Sequence, residues 1–320
     1  MSSSPGRGAD DVDPGPARRV LVTGATGYVG SHLVPPLLDA GHTVLAASRS
    51  GTGAFAWHGD VETREFDVAD EDLIERAVEG VDVVIYLIHS MASTDFERRD
   101  REAATRVAAA CERAGVDRIV YLSGLVPDGE LSPHLRSRHE VEQIFLESAV
   151  PTVVLRASMI IGAGSTSYEL LRRLSERLPV FTPVPSWMRS LIQPIAIEDV
   201  TRIVQRAVAS PETINRAFDV GGEDVLTYFE LLQLFARVAG LLRVQVSVPG
   251  LPPDVVGESS AIIAGMPRTE VNNLIESLRH DMVCVDYDIR DVLLEPDYDY
   301  LPIGDGLRRA LGQEDESRTP

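Results

Sequence analysis

His134 and Arg138 lie four residues apart in SPHLRSRHEVEQ, where a helix is expected to begin. Residues so spaced share one helical face, which sets an imidazole beside a guanidinium. A free imidazole titrates near pH ~6.5 and can take or give a proton at neutral pH. The neighbouring cation favours its neutral form, so His134 is a better base than acid. The alternative is a loop histidine without chemistry.

A second group is built to hold phosphate. VLVTGATGYVGSHL places Gly24, Gly27 and Gly30 around Thr26, Tyr28 and Val29, between an apolar strand and a helix. One glycine permits the turn, one lets phosphate oxygens approach the backbone, and one lets the helix pack on the sheet. The free amides and positive dipole end of the helix then face a pyrophosphate. At the end of the second strand, AASRSG places Arg49 where NAD sites usually hold an acid for the ribose 2′-hydroxyl. An arginine suits a 2′-phosphate, so NADP(H) is expected over NAD(H). Asp67, next to Val68, follows the third strand and is placed for the adenine amino group or, alternatively, as a helix N-cap. Leu87, Ile88 and His89 close the fourth strand, at the edge where such sheets bind ligands.

These groups need a scaffold, and the chain supplies strands and helices in turn. RRVLVTG, HTVLAAS, ETREFDV, VDVVIYLI, VDRIVYLSG and PTVVLRASMIIG read as strands, separated by helical stretches such as EDLIERAVEG. Pro35 and Pro36 are expected in the first turns of the first helix or at a kink in it. The pattern predicts an α/β fold, a Rossmann-type doubly wound parallel sheet with a smaller C-terminal substrate lobe. The expected division is a disordered tail over 1–17, a nucleotide-binding domain over 18–165, a lobe over 166–312 and a second tail over 313–320. VFTPVPSWMRSLIQP, rich in proline, reads as a loop.

Composition narrows the partners. The 320 residues carry 49 acidic and 30 basic side chains, a formal charge of −19, with a pI near 4.7 and mean hydropathy of +0.00. Such a surface repels nucleic acid phosphates and anionic membranes alike, which points to a small-molecule substrate or to no partner at all. No lysine occurs. A salt-rich cytoplasm or a GC-rich genome would each account for that. Cys111 and Cys284 lie far apart with no CxxC pattern, so neither a disulfide framework nor a zinc site is suggested. No apolar run is long enough to span a bilayer, and the N-terminus lacks a signal-peptide core, so a cytoplasmic location is expected.

The segments VTGATGYVGSHL, YLIHSM, AGVDRIVYLSGL, SRHEVEQIFLESAVPTVVLRASMIIG and QPIAIEDV resemble the atypical short-chain dehydrogenase/reductases of the NmrA-like NAD(P)H-binding branch. They are also similar to the nucleotide-binding accessory subunit of respiratory complex I. The resemblance spans roughly residues 18 to 205. It implies that Ser123, ending VYLSG, holds the substrate oxygen, and that His134 and Arg138 stand where active members carry a Tyr and a Lys. The Tyr–Lys pair is impossible in a chain without lysine. Tyr168 alone has an arginine four residues on, Arg172, but lies beyond the sixth strand, where an ordinary helix or a pocket wall is expected. The resemblance further implies that Ala157 and Ser158 meet the carboxamide, and that Trp187 and Gln193 line a lid, Trp187 being equally suited to packing. An apolar pocket would suit a quinone or lipid. Three functions follow: an NADP(H)-dependent reductase of a carbonyl or quinone, a non-catalytic NADPH-binding sensor or assembly factor, and, less directly, a sugar-nucleotide epimerase or dehydratase.

Overall fold

The computed structural model describes residues 15–49, 55–89, 95–129, 131–295 and 297–317, with side chains to residue 312. The first half alternates as expected: β1 (Arg19–Thr23), α1 (Tyr28–Asp39), β2 (Thr43–Ser48), β3 (Glu62–Glu65), α2 (Glu71–Val78), β4 (Val83–Tyr86), α3 (Phe96–Ala114), β5 (Arg118–Gly124), α4 (Pro133–Leu146) and β6 (Thr152–Ala157). Then come β7 (Ile160–Ile161), α5 (Thr166–Arg177), β8 (Phe181–Pro185), β9 (Leu191–Ile192), β10 (Ile195–Ala196), α6 (Ile197–Ala209), β11 (Arg216–Val220), β12 (Leu226–Thr227) and α7 (Tyr228–Val238). The chain continues through β13 (Val244–Val248), α8 (Pro253–Ala264), α9 (Arg268–Ser277), α10 (Ile289–Val292) and α11 (Ile303–Ser317).

Seven parallel strands form the central sheet in the order β11-β6-β5-β4-β1-β2-β3. Strand side chains alternate in direction, so each strand feeds two cores. Val20, Val22, Val83 and Ile85 pack under α1 and α6. Leu21, Val84 and Tyr86 pack under α2, α3 and α4. The order reverses between β1 and β4, and the crevice at their carboxyl ends is where such sheets bind ligands. Thr23 fixes that crevice: its hydroxyl donates to the Ile85 carbonyl at 3.0 Å and accepts from the Leu87 amide at 3.1 Å.

Four local expectations change. Pro35 and Pro36 lie well inside α1, not in its first turns. The helix continues through them, and the Pro36 carbonyl accepts from Gln205 of α6 at 2.7 Å. The boundary expected at residue 165 is crossed, because α6 and β11 belong to the sheet layer. The proline-rich segment is not a loop: β8 pairs in parallel with β13, from Phe181↔Val244 to Pro185↔Val248. Of the expected tails, residues 1–14 and 318–320 lie outside the described residues, Gly15 sits against Ala209, and 313–317 continue α11.

Candidate functional site

The glycine turn is shaped for a ligand by contacts that no side chain would permit. Gly24 has φ +69°, in the left-handed region, and its carbonyl accepts from the Gly27 amide at 2.8 Å. A Cβ on Gly30 would lie 2.3 Å from the Gly24 oxygen and 2.8 Å from the Ala25 Cα. The start of α1 has no side-chain cap and no acidic residue in its first turn. Its leading amides therefore lack intrahelical acceptors and face no competing carboxylate. Gly24, Gly27, Tyr28, Val29 and Gly30 line the mouth of a cavity of about 440 Å³. Gly162 makes room for the Tyr28 ring, since a Cβ there would lie 2.0 Å from its hydroxyl.

The residues expected around the adenosine half sit outside the cavity walls, at the carboxyl ends of β2, β3 and β4. Arg49 is exposed just past β2, with no ion-pair partner among the described residues. Asp67 accepts from the Ala69 amide at 2.9 Å in a tight turn. It is not the cap of α2; that is Asp70, which accepts from Leu73 at 3.1 Å. The Val68 carbonyl accepts from Arg106 at 3.2 Å. Ile88 packs with Val68 against the core beneath α2 and α3. Thr26 belongs to the turn but not to the cavity wall.

Deeper in, β4, β5, β6 and α4 converge. Leu87 and His89, Ser123, Ala157 and Ser158, and His134 with Arg138 all line the same cavity. Ser132 caps α4 by accepting from the Leu135 amide at 3.3 Å, with Pro133 in the first turn. The helix is held by Ser137, which donates to Asp100 at 3.1 Å, and by fully buried Glu142, which accepts from Arg156 of β6 at 3.0 and 2.5 Å. Arg156 also lies 3.6 Å from Asp219. Ser123 Oγ and Arg138 Nε are themselves enclosed by protein. The glycine turn, the uncapped start of α1 and this wall lie on one cavity, and together they fit a nicotinamide nucleotide.

The electrostatics follow from burial beside a cation. The His134 pKa is pushed down to about 3 by desolvation, then by Arg138 and His89. That of His89 is also pushed down to about 3, by desolvation and Arg138, against a weaker opposing hydrogen bond to the Leu87 backbone. His89 is exposed at the end of β4, so the Arg138 charge is the main cause there. Burial pushes Tyr121, under α4, up to about 12, opposed by Arg138 and Ser123. Both histidines are therefore neutral at physiological pH: weak bases that carry no proton to give as imidazolium.

Past Ser123 the cavity becomes apolar and runs between α5, α7, α9 and the β8–β13 ribbon, along Leu171, Leu174, Val184, Met188, Leu231 and Leu274. None of the three residues expected to contact substrate lies on its wall. Tyr168 is fully buried against Phe235, and Arg172 pairs with Glu169 and Glu176 at 2.8 and 2.9 Å. Trp187 packs beside Leu170 and donates to the Leu251 carbonyl at 2.9 Å. Both ends of the Gln193 amide are used: it donates to Gly222 at 2.6 Å and accepts from the Cys284 amide at 2.9 Å. Ala157 and Ser158, expected beside the carboxamide, line the cavity; the Ser158 amide donates to Val220 at 3.0 Å and the Ala157 carbonyl accepts from Leu125 at 3.2 Å, which leaves that carbonyl a second lone pair. The leucine face of α5 escaped the sequence reading; its helical spacing is visible, but an ordinary core face has the same pattern. Among the described residues no cluster of His, Cys, Asp and Glu could hold a metal, and no helix is long and apolar enough to cross a membrane.

Known proteins resemble this chain in sequence and in fold. A sequence model of the NmrA-like family matches residues 16–277. The 3 beta-hydroxysteroid dehydrogenase/Delta 5-->4-isomerase of Mycobacterium tuberculosis is 40% identical over 116 residues, 33% of this chain but only 31% of that protein. The (4-alkanoyl-5-oxo-2,5-dihydrofuran-3-yl)methyl phosphate reductase of Streptomyces griseus is 30% identical over 236 residues, 69% of this chain and 74% of its own length. NADH dehydrogenase (ubiquinone) 1 alpha subcomplex subunit 9 of Dictyostelium discoideum is 26% identical over 228 residues, 67% of this chain and 62% of its own. In fold, the chain is similar to the Citrobacter triphenylmethane reductase complexed with NADP(H), with a TM-score of 0.72 at 17% identity over 91% of this chain and 99% of that one.

Proposed function

The chain belongs to the NmrA-like family, and on that premise we propose that it binds NADP(H) in preference to NAD(H) and reduces an apolar carbonyl or quinone-like substrate. One observation carries the reading: a single cavity joins the glycine turn, the Ser123–His134–Arg138 wall and an apolar compartment. The turn and the leading amides of α1 would hold the pyrophosphate, and exposed Arg49 the 2′-phosphate. The nucleotide layer comprises 18–165 with α6 and β11, and the rest of 166–312 supplies the substrate lobe.

When bound, the dihydronicotinamide supplies a hydride. Ser123 would donate to the substrate oxygen, and Arg138 would hold the negative charge that develops there. The remaining proton must come from water, relayed by neutral His134, which accepts on one ring nitrogen and donates from the other. No strong acid stands in the wall, so an acceptor whose reduced anion is weakly basic is favoured. A hydroquinone anion is a phenolate, with a basicity near the ~10 of tyrosine, and needs less help than an alkoxide. The alkanoyl group in the name of the S. griseus reductase is the kind of chain such a compartment takes.

A second reading rests on the same wall. With His134 held neutral and no lysine in the chain, the protein would bind NADPH as a sensor or assembly factor without turnover. Stopped-flow NADPH oxidation with quinones and aldehydes of increasing chain length separates the two. Oxidation by any acceptor supports the reductase. Tight binding without oxidation supports the second reading, and failure to bind either nucleotide removes both.

A further inference from the structure

The β8–β13 ribbon has two unlike faces. Its inner face, with Thr182, Val184 and Gln245, is a wall of the cavity. Its outer face and entry carry Phe181 and Leu242, 70% and 73% exposed, with Val180, Val244 and Val246 also exposed. The register sets Phe181 beside Val244 and Pro183 beside Val246, so these side chains form one apolar surface. A contiguous exposed patch of this kind marks an interaction site.

The two segments that form it differ in charge from the chain as a whole. Residues 177–197 and 231–253 contain no Asp or Glu, although Glu176, Glu198, Glu230 and Asp254 bound them, in a chain with 49 acids to 30 basic residues. They hold Arg177, Arg189, Arg237 and Arg243. The first three are exposed, and Arg189 and Arg237 form no ion pair among the described residues. A second group of exposed apolar residues, Val225, Val285 and Tyr287, has the opposite setting, with Glu223, Asp286 and Asp288 around it.

From this pairing of an apolar face with arginine-bearing segments that themselves lack acids we infer that the β8–β13 ribbon docks the protein on an anionic lipid bilayer. Apolar side chains enter the headgroup boundary while arginines meet lipid phosphates, the combination that holds peripheral proteins. A second copy of the chain is a poorer occupant. Pro183 and Pro185 remove amide donors along β8, which blunts edge pairing between copies. Docking here would set the apolar compartment one ribbon away from the hydrocarbon, so a lipid-soluble substrate could enter without crossing water. That consequence rests on the reductase reading; the docking does not.

Flotation with phosphatidylglycerol–phosphatidylcholine vesicles, and with phosphatidylcholine alone, tests it on the full chain. The wild type is expected to float with the anionic vesicles and to be released by added salt. Phe181→Ser with Leu242→Ser should lower partitioning by about tenfold or more. Arg189→Gln with Arg237→Gln should weaken binding to anionic vesicles, and Val285→Ser should change nothing. All are surface substitutions, and matching melting curves confirm folding. The proposal is overturned if the wild type does not float, if the Phe181/Leu242 variant floats as well as wild type, or if the ribbon variants dissolve a dimer that never bound vesicles. NADPH binding by the Phe181/Leu242 variant is read in parallel. A chain that floats but binds no nucleotide sinks the reductase reading and leaves docking standing.

Discussion

The Tyr121 hydroxyl donates to the Arg138 carbonyl at 3.4 Å, joining the middle of β5 to the helix above it. The bond uses the main chain of Arg138 and leaves its guanidinium for the cavity. Tyr121 and Ser123 are two apart on a strand and so share a face, which brings Ser123 beneath the same helix. Two periodicities thus assemble the wall: alternation along β5, and the four-residue spacing of His134 and Arg138 on α4.

The glycine turn should tolerate no methyl group at Gly30. With a Cβ 2.3 Å from the Gly24 carbonyl oxygen, Gly30→Ala must push α1 away from the turn. We expect a loss of about 1–3 kcal/mol in stability and a larger loss in NADPH affinity, measured by urea denaturation and fluorescence titration. Wild-type values in both would show that the turn is looser than its contacts imply.

Arg49 should decide between the two nucleotides. It is exposed and unpaired among the described residues, so its substitution removes no internal contact. Arg49→Asp is expected to weaken NADPH by about 1.5–3 kcal/mol, the worth of a charged hydrogen bond, and to spare NADH. Equal loss of both would remove Arg49 from the 2′-phosphate site.

The parallel α/β sheet and the glycine turn were legible because each rests on local signals: alternating apolar strands and helices, a helix start and glycines at fixed offsets. The convergence of Ser123, His134 and Arg138 was legible only with the resemblance, since it is made by packing α4 on β5. Tyr168, Trp187 and Gln193 were misplaced because nothing local tells a pocket-facing side chain from a packed one. Gln193 is the clearest case, for its partners Gly222 and Cys284 lie far along the chain. The β8–β13 pairing joins segments separated by two helices, and proline hid the first of them.

Glu142 should be a strong point in holding α4. It is fully buried against Arg156, which is itself a quarter exposed. Glu142→Ala leaves that guanidinium facing a cavity and should cost about 3 kcal/mol. Glu142→Met with Arg156→Met should recover much of the loss, because the pair is replaced by apolar volume. Urea midpoints of the single and double variants provide the check. Additive losses would mean that the two residues do not act as a pair.

The neutral histidines should leave a signature in the pH dependence of stability. His134 has a folded pKa of about 3, against 6.5 for a free imidazole. Between those values the unfolded chain binds more protons, so its contribution is complete above about pH 6.5 and falls away toward pH 3. Buried Asp199 acts the other way. Desolvation raises it to about 6, despite hydrogen bonds from Tyr298 and Leu301, so its contribution is present below 3.8 and is lost as pH rises through about 6. Urea midpoints from pH 4 to 8 should therefore show a shallower acid limb in His134→Phe than in wild type. In Asp199→Asn the loss near pH 6 should vanish and the acid limb should remain. If the His134→Phe curve runs parallel to wild type, His134 is not held neutral by the fold, and the poverty of acid in the wall, from which the quinone preference was argued, goes with it.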